Sequence, residues 1–119
     1  MIIPKDSVKP IDFRGLIIHD YTAEVQTDSS LAVVDVPPQA EHPLAMSTRS
    51  EKLYHVIEGS VCFDLEGVES TLNPGDSCVV KKNEIFSYRN ESAEPARLIL
   101  IHTPSFDMDC EVFFDDKDR

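Results

Sequence analysis

Residues 44–65 read LAMSTRSEKLYHVIEGSVCFDL, and apolar side chains alternate with polar ones over much of this stretch. A period of two residues is typical of β-strands, whereas helices repeat at 3.6 residues. Gly59 separates the two alternating runs, and a second Glu-Gly pair follows at Glu66 and Gly67. We therefore predict two strands joined by a tight reversal, forming an antiparallel hairpin over residues 52–66.

The same pattern continues along the chain in both directions. Short apolar or alternating runs occupy residues 13–22, 30–36, 51–57, 60–66, 76–80, 85–90 and 96–102. Between them lie residues that favour turns, such as Pro74 and Gly75 in LNPGD. Because no window has helical periodicity, we predict an all-β sandwich or barrel.

The length of 119 residues and a hydrophobic content of 41% suit one compact domain with its own core. We expect a core at about residues 30–104, an N-terminal strand arm over 1–29 and an acidic C-terminal tail over 111–119. The tail is expected to be solvated.

Charge and cysteine content exclude several classes of protein. The net charge of −11 opposes binding to nucleic acid, because a phosphate backbone would be repelled. The sequence has no long apolar stretch, so we expect neither a signal peptide nor a membrane partner. Three cysteines without C-x-x-C spacing indicate neither a disulfide framework nor a zinc site, so we expect a soluble cytoplasmic protein.

The spacing of residues 39–90 resembles the cupin superfamily, whose two motifs are G-x5-H-x-H-x4-E-x6-G and G-x5-P-x-G-x2-H-x3-N. The first motif falls without a gap on Gln39, Ala45, Ser47, Lys52 and Gly59, and the second falls on Gly75, Lys81, Asn83, Phe86 and Asn90. The resemblance covers roughly residues 30–104. It implies a single-domain cupin jelly-roll barrel.

The chain departs from the family at the metal-ligand positions. Where cupins carry three histidines and a glutamate, this sequence has Ala45, Ser47, Lys52 and Phe86. First-row metals bind imidazole, carboxylate or thiolate groups, and a lysine ammonium adds repulsion. We therefore expect no metal and no cofactor, and the metal-dependent reactions of the family are not carried over.

Strand alternation predicts which side chains face the interior of the barrel. If Lys52 points inward, Tyr54 does so as well, and Phe86 shares an inward face with Tyr88. Arg49 is expected at the rim. The predicted ligand-binding residues are Ser47, Arg49, Lys52, Tyr54, Phe86 and Tyr88.

Lys52 is the side chain with the most chemical consequence. Burial would lower its pKa, as a base or an imine-forming amine requires. The alternative is that its stem extends to the barrel mouth and its ammonium pairs with an acid such as Glu51 or Asp64.

The candidate catalytic residues are Lys52, Tyr54 and His42. His42 lies in the approach loop PPQAEHP and can reach the mouth, or it is an ordinary exposed loop histidine. His102 is expected on an outer strand that could deliver it to one barrel end. A metal site built from His42, His102 and a carboxylate is an open alternative that no motif supports.

The sequence thus predicts a metal-independent cupin that binds a small organic molecule, either anionic or sugar-like. One alternative is a metal-free isomerase, epimerase or lyase acting on a carbohydrate or keto acid. Against it, cupin epimerases use a His-Asp pair, and alternation places no histidine inward. The other alternative is a structural or regulatory homo-oligomer without catalysis. A homodimer is expected in any case, because Leu53, His55 and Ile57 form an outward stripe that needs cover.

Overall fold

The computed structural model describes residues 1–114 of the chain. Its strands are β1 (Ile11–Phe13), β2 (Leu16–Asp20), β3 (Ser30–Val36), β4 (Glu41–Ser47), β5 (Glu51–Glu58), β6 (Val61–Leu65), β7 (Val68–Leu72), β8 (Ser77–Val80), β9 (Phe86–Arg89), β10 (Ala96–Thr103) and β11 (Glu111–Phe113). Short 3-10 turns cover Lys5–Ser7 and Met108–Cys110. Over this part of the chain, no helix has the length and hydrophobicity needed to cross a membrane.

The strands form two antiparallel sheets that enclose the core. One sheet has the order β1-β2-β3-β10-β5-β8, and the other has the order β11-β4-β9-β6-β7. Side chains of both sheets meet between them, with Val34, Val56 and Leu98 on the first sheet and Val61 and Phe63 on the second, all at most 2% exposed. This architecture confirms the predicted all-β jelly roll.

The predicted hairpin over residues 52–66 is wrong, because β5 and β6 belong to different sheets. The chain crosses between the sheets at Gly59, which has a φ of +69°. A Cβ atom at this position would lie 2.4 Å from the carbonyl oxygen of Pro95. Glycine is therefore required by both the conformation and the close approach of the β10 segment. The reversal at Glu66 and Gly67 does form a hairpin, which joins β6 to β7.

Two cupin motif positions that have lost their glycine keep its backbone conformation. Gln39 and Asn83 both have a φ of +69°. A positive φ is uncommon outside glycine, so the barrel still imposes these turns on the chain. The LNPGD turn is also as predicted, since the amide of Asp76 bonds the carbonyl of Asn73.

Strands β4, β7 and β11 were not among the predicted runs, and β1 overlaps them only at Phe13. Part of β4 was assigned to the approach loop, because Pro43 and the mixed polarity around it hide the alternation. Residues Glu111–Phe113 were assigned to a solvated tail, but they form β11 and pair with β4. Phe114 follows in the same predicted tail and donates its backbone amide to the carbonyl of Leu44, whereas residues 115–119 lie outside the described residues.

Candidate functional site

A cavity of about 190 Å³ lies between the two sheets. Apolar side chains make most of its wall, including Ile18, Val34, Leu100 and Phe113. Eight polar side chains line it: Asp20, Ser30, His42, Lys52, Tyr54, Tyr88, His102 and Glu111. A small apolar cavity with a few converging polar groups is the usual form of a small-molecule site.

Lys52 is the centre of this cluster, at 2% exposure. Its Nζ donates to the carboxylate of Glu111 and lies 3.0 Å from Nε2 of His102. The alternative in which the ammonium reaches the mouth and pairs with Glu51 or Asp64 is therefore wrong. Burial lowers the pKa of Lys52, while the Glu111 carboxylate opposes that shift. Because the Glu111 carboxylate contacts Nζ of Lys52, it favours the charged form of the amine, and the two groups form an ammonium–carboxylate pair.

His102 accepts a hydrogen bond from Lys52. An ammonium group can only donate, so Nε2 of His102 must carry a lone pair and the ring proton lies on Nδ1. Burial, and then the charge of Lys52, lower the pKa of His102 to about 3. The expectation that His102 belongs to an outer strand is wrong. It ends the buried series Ala96, Leu98 and Leu100 on β10, which lies inside the sheet.

His42 is held in the opposite way, through its other ring nitrogen. Nδ1 lies 2.7 Å from the carbonyl oxygen of Pro43 and must donate to it, which leaves Nε2 as an acceptor. Burial lowers the pKa of His42 to about 4, so the ring is neutral at pH 7. Its ring is stacked on Tyr88, with centroids 5.2 Å apart.

The exposed-loop alternative for His42 and the prediction that no histidine faces inward are both wrong. The pairing of β4 with β9 shifts register between His42 and Ala45. From the inward residues Ala45 and Ser47, strict alternation would turn Pro43 inward and His42 outward. The register shift reverses the alternation, so that His42 faces the cavity. Bulges commonly redirect side chains in this way.

Tyr54 and Tyr88 lie on opposite sheets and meet edge-on, with ring centroids 5.4 Å apart. Burial raises the pKa of both phenols. They are therefore neutral hydroxyl groups at physiological pH, able to donate a proton or a hydrogen bond. Strand alternation correctly predicts their inward direction.

Three predicted ligand-binding residues do not line the cavity. Phe86 is fully buried and packs between the aromatic rings of Tyr54 and Phe63. Ser47 accepts backbone amides of the turn that follows it. Arg49 donates to the carbonyl of Ser105 and lines a separate depression at the surface.

Glu111 was missed as a site residue. It sits on β11, with its backbone paired to Ser47, and its side chain is 5% exposed. The strand-favouring residues Val112, Phe113 and Phe114 that follow it were a weak local sign of a strand. Its contact with Lys52 joins residues 59 positions apart, and no local pattern reports such a contact.

The residues present do not fit the metal site that the fold family implies. Ala45 and Phe86 bring no donor atom to the core. Among the described residues, no group of three or more His, Cys, Asp or Glu side chains could hold a metal ion. The alternative site from His42, His102 and a carboxylate is disfavoured too. The Lys52 ammonium already engages His102 and Glu111 and would repel a cation.

Comparison with known proteins identifies the family. The family model described as Cupin domain matches residues 32–102. A comparison with curated proteins gives no match. Because the family model spans more than half of the chain, it shows family membership.

Several solved structures share the fold at low sequence identity. The histidine-to-glutamine variant of Streptomyces PAC13 with uridine has a TM-score of 0.84 and 18% identity, covering 96% of this chain and 90% of that one. Pac13 itself, a nucleoside dehydratase, has a TM-score of 0.83 and 18% identity, covering 100% and 96%. KdgF from Halomonas sp. has a TM-score of 0.79 and 18% identity, covering 90% and 96%. These similarities show the fold alone.

Proposed function

The chain belongs to the cupin family, and we propose that it binds a small organic molecule in its barrel without a metal ion. The observation that carries this proposal is the position of Lys52. Its ammonium lies buried between His102 and Glu111, in the slot where the family motif has a carboxylate ligand. A fixed ammonium can hold and polarise an oxygen atom of a ligand, which is one of the tasks a metal performs in other sites.

The form of the cavity supports a ligand with both polar and apolar parts. Phenol, imidazole and ammonium groups converge from one side of each sheet, while aliphatic and aromatic side chains make the remaining wall. A sugar-like or carbonyl-bearing molecule would satisfy the polar groups and still bury apolar surface.

A second candidate function is acid–base catalysis, and the state of His42 favours it. A neutral imidazole whose Nδ1 proton is fixed on Pro43 presents Nε2 as a base. In a lyase reaction, Nε2 would remove a proton from the carbon beside a carbonyl, and the negative charge would develop on the carbonyl oxygen near Lys52. A phenol of Tyr54 or Tyr88 would then protonate the departing hydroxyl, which leaves as water.

The structural comparisons also support acid–base catalysis as the second candidate function. PAC13 was solved with uridine as a histidine-to-glutamine variant and as two tyrosine-to-phenylalanine variants. Here one histidine and two tyrosines, His42, Tyr54 and Tyr88, meet in one cavity. The likeness in residue types supports a metal-free lyase as the enzymatic alternative.

The test is a thermal-shift screen of chelator-treated protein against sugars, nucleosides and keto acids. We expect a ligand that raises the unfolding temperature of the natural chain but not of Lys52→Met. Lys82→Met, at an exposed turn, is the matched control and should respond like the natural chain. An unchanged response in Lys52→Met would refute the assignment.

Turnover distinguishes the binder from the enzyme. The best ligand is followed by NMR in the presence of the natural chain and of His42→Gln. Chemical change that is lost in His42→Gln supports catalysis, and binding without change supports the binding module.

We also propose that the chain forms a homodimer through the outer face of its six-stranded sheet. Strand register places Leu31, Ile101, Leu53 and Val79 in one row across four strands. Leu53 and Val79 are 40% and 47% exposed. Three free cysteines in the described residues support the further proposal of a reducing, cytoplasmic location.

A further inference from the structure

The buried carboxylate of Glu111 affects which ligands the cavity can bind. The side chains of Lys52 and Glu111 are only 3% and 5% exposed, so the pair is removed from bulk water. Glu111 is delivered by β11, which belongs to the opposite sheet from Lys52. The contact therefore crosses the interior of the barrel beside the cavity.

The charged side chains that line the cavity do not add up to a positive charge. Lys52 contributes one positive charge and Glu111 one negative charge, while His42 and His102 are neutral at pH 7. Asp20 also lines the cavity and adds a carboxylate, which accepts the backbone amide of Thr22. The wall thus carries no net positive charge that could balance the negative charge of a bound anion.

A cation does lie outside this wall. The Arg14 guanidinium stacks against the rings of Phe13 and Phe113, 5.6 Å from each centroid. Arg14 is exposed, so water and salt screen its charge. Its charge still contributes to the lowered pKa of His42, but less than the charge of Lys52 does, so an anion inside the cavity would gain less from Arg14 than from Lys52.

The ammonium of Lys52 still has hydrogen-bonding capacity. It has three N–H donors, and His102 and Glu111 take two of them. The third can serve an oxygen acceptor of a ligand. A carboxylate or phosphate placed there would lose its hydration and face the Glu111 carboxylate, without net positive charge in compensation.

We infer that Glu111 makes the cavity selective for uncharged ligands that present a carbonyl or hydroxyl oxygen to Lys52, and against carboxylates and phosphates. This rests on the proposed function, since it concerns the same cavity. Of the two ligand classes that the sequence left open, anionic and sugar-like, this selectivity favours neutral sugar-like molecules. Glu111 is in this account a specificity-determining residue.

The experiment uses formate, an anion small enough for the cavity, as the probe. In the natural chain at pH 7, we expect formate to cause no saturable NMR shift at Tyr54 or Tyr88. In Glu111→Gln, which keeps the shape but removes the negative charge, we expect saturable shifts and at least tenfold tighter binding. The exposed Glu91→Gln is the matched control and should behave like the natural chain.

The double variant Lys52→Met/Glu111→Gln should lose formate binding again, because the ammonium is the attracting group. Equal formate affinity in the natural chain and Glu111→Gln would overturn the inference, as would formate binding that persists in the double variant. If Glu111→Gln does not fold, the natural chain decides. NMR shifts at Tyr54 and Tyr88 that appear with uncharged formamide but not with formate would support the inference. Shifts that appear with formate but not with formamide would overturn it.

The outcome is separable from that of the proposed function. Formate binding that appears only in Glu111→Gln supports the role of Glu111 even if no organic ligand in the thermal-shift screen binds. A screened anionic ligand that binds the natural chain through Lys52 would uphold the proposed function and refute the charge selectivity.

Discussion

Acid should destabilise the protein through its two cavity histidines, His42 and His102. His42 and His102 have their pKa values lowered from 6.5 to about 4 and about 3. A group with a depressed folded pKa binds more protons in the unfolded state, so stability is full above pH 6.5 and falls as pH drops toward the folded pKa. The loss thus begins near pH 6.5 and continues toward pH 4 for His42 and toward pH 3 for His102.

The magnitude follows from the two pKa values of each histidine. Between pH 7 and pH 5, a histidine that titrates near 6.5 when unfolded but near 4 or below when folded loses about 2 kcal/mol of stabilisation. Since two histidines contribute, the free energy of unfolding should fall by up to about 4 kcal/mol over this interval.

Urea denaturation at both pH values measures this loss. The natural chain should show the full decrease, whereas His42→Gln and His102→Gln should each show about half of it. His55→Gln is the control, because His55 faces outward and bonds Ser77 at the surface. Equal pH dependence in all four proteins would refute the assignment of buried neutral imidazoles.

Three further predictions concern the fold and the assembly. Gly59→Ala should destabilise the chain by about 3 kcal/mol, because its Cβ would meet the Pro95 carbonyl, while Gly67→Ala, with no atom within 4 Å, should lose about 1 kcal/mol. Urea denaturation checks both, and equal losses would contradict the steric argument. Asn90→Ala should lose about 3 kcal/mol, since the amide bonds the carbonyls of Val36 and Glu94 and accepts from Ser92. Exposed Asn73→Ala is its control, and a similar small effect for both would be contrary evidence. In sedimentation, the natural chain should be a dimer at micromolar concentration and Leu53→Glu a monomer. A natural chain that stays monomeric excludes the dimer proposal.

The parts of the fold that local patterns determine could be predicted from the sequence. Alternating polar and apolar residues located β5, and short apolar runs bounded by turn residues located β3 and β10. The cupin motif placed Lys52 at an inward position, and alternation then gave the inward direction of Tyr54. Which sheet each strand joins was not predictable in this way, so the Gly59 crossing was mistaken for a hairpin.

The missed parts of the site depend on a local irregularity and on contacts between distant residues. His42 turns inward only because the pairing of β4 with β9 shifts register between His42 and Ala45. Such an irregularity cannot be read from the alternation of polar and apolar residues in the sequence. Glu111 reaches Lys52 only because β11 adds to the edge of the second sheet. The partners of a buried charge are set by the tertiary fold, so the sequence could identify Lys52 but not its neighbours.

The metal content of the purified protein is the decisive measurement for the proposal that this cupin binds its ligand without a metal ion. Elemental analysis of protein prepared without chelators should find iron, manganese, nickel and zinc far below one ion per chain, because the ligand positions hold Ala45, Ser47, Lys52 and Phe86. Near-stoichiometric content of any of these metals, retained after dialysis, would contradict the account.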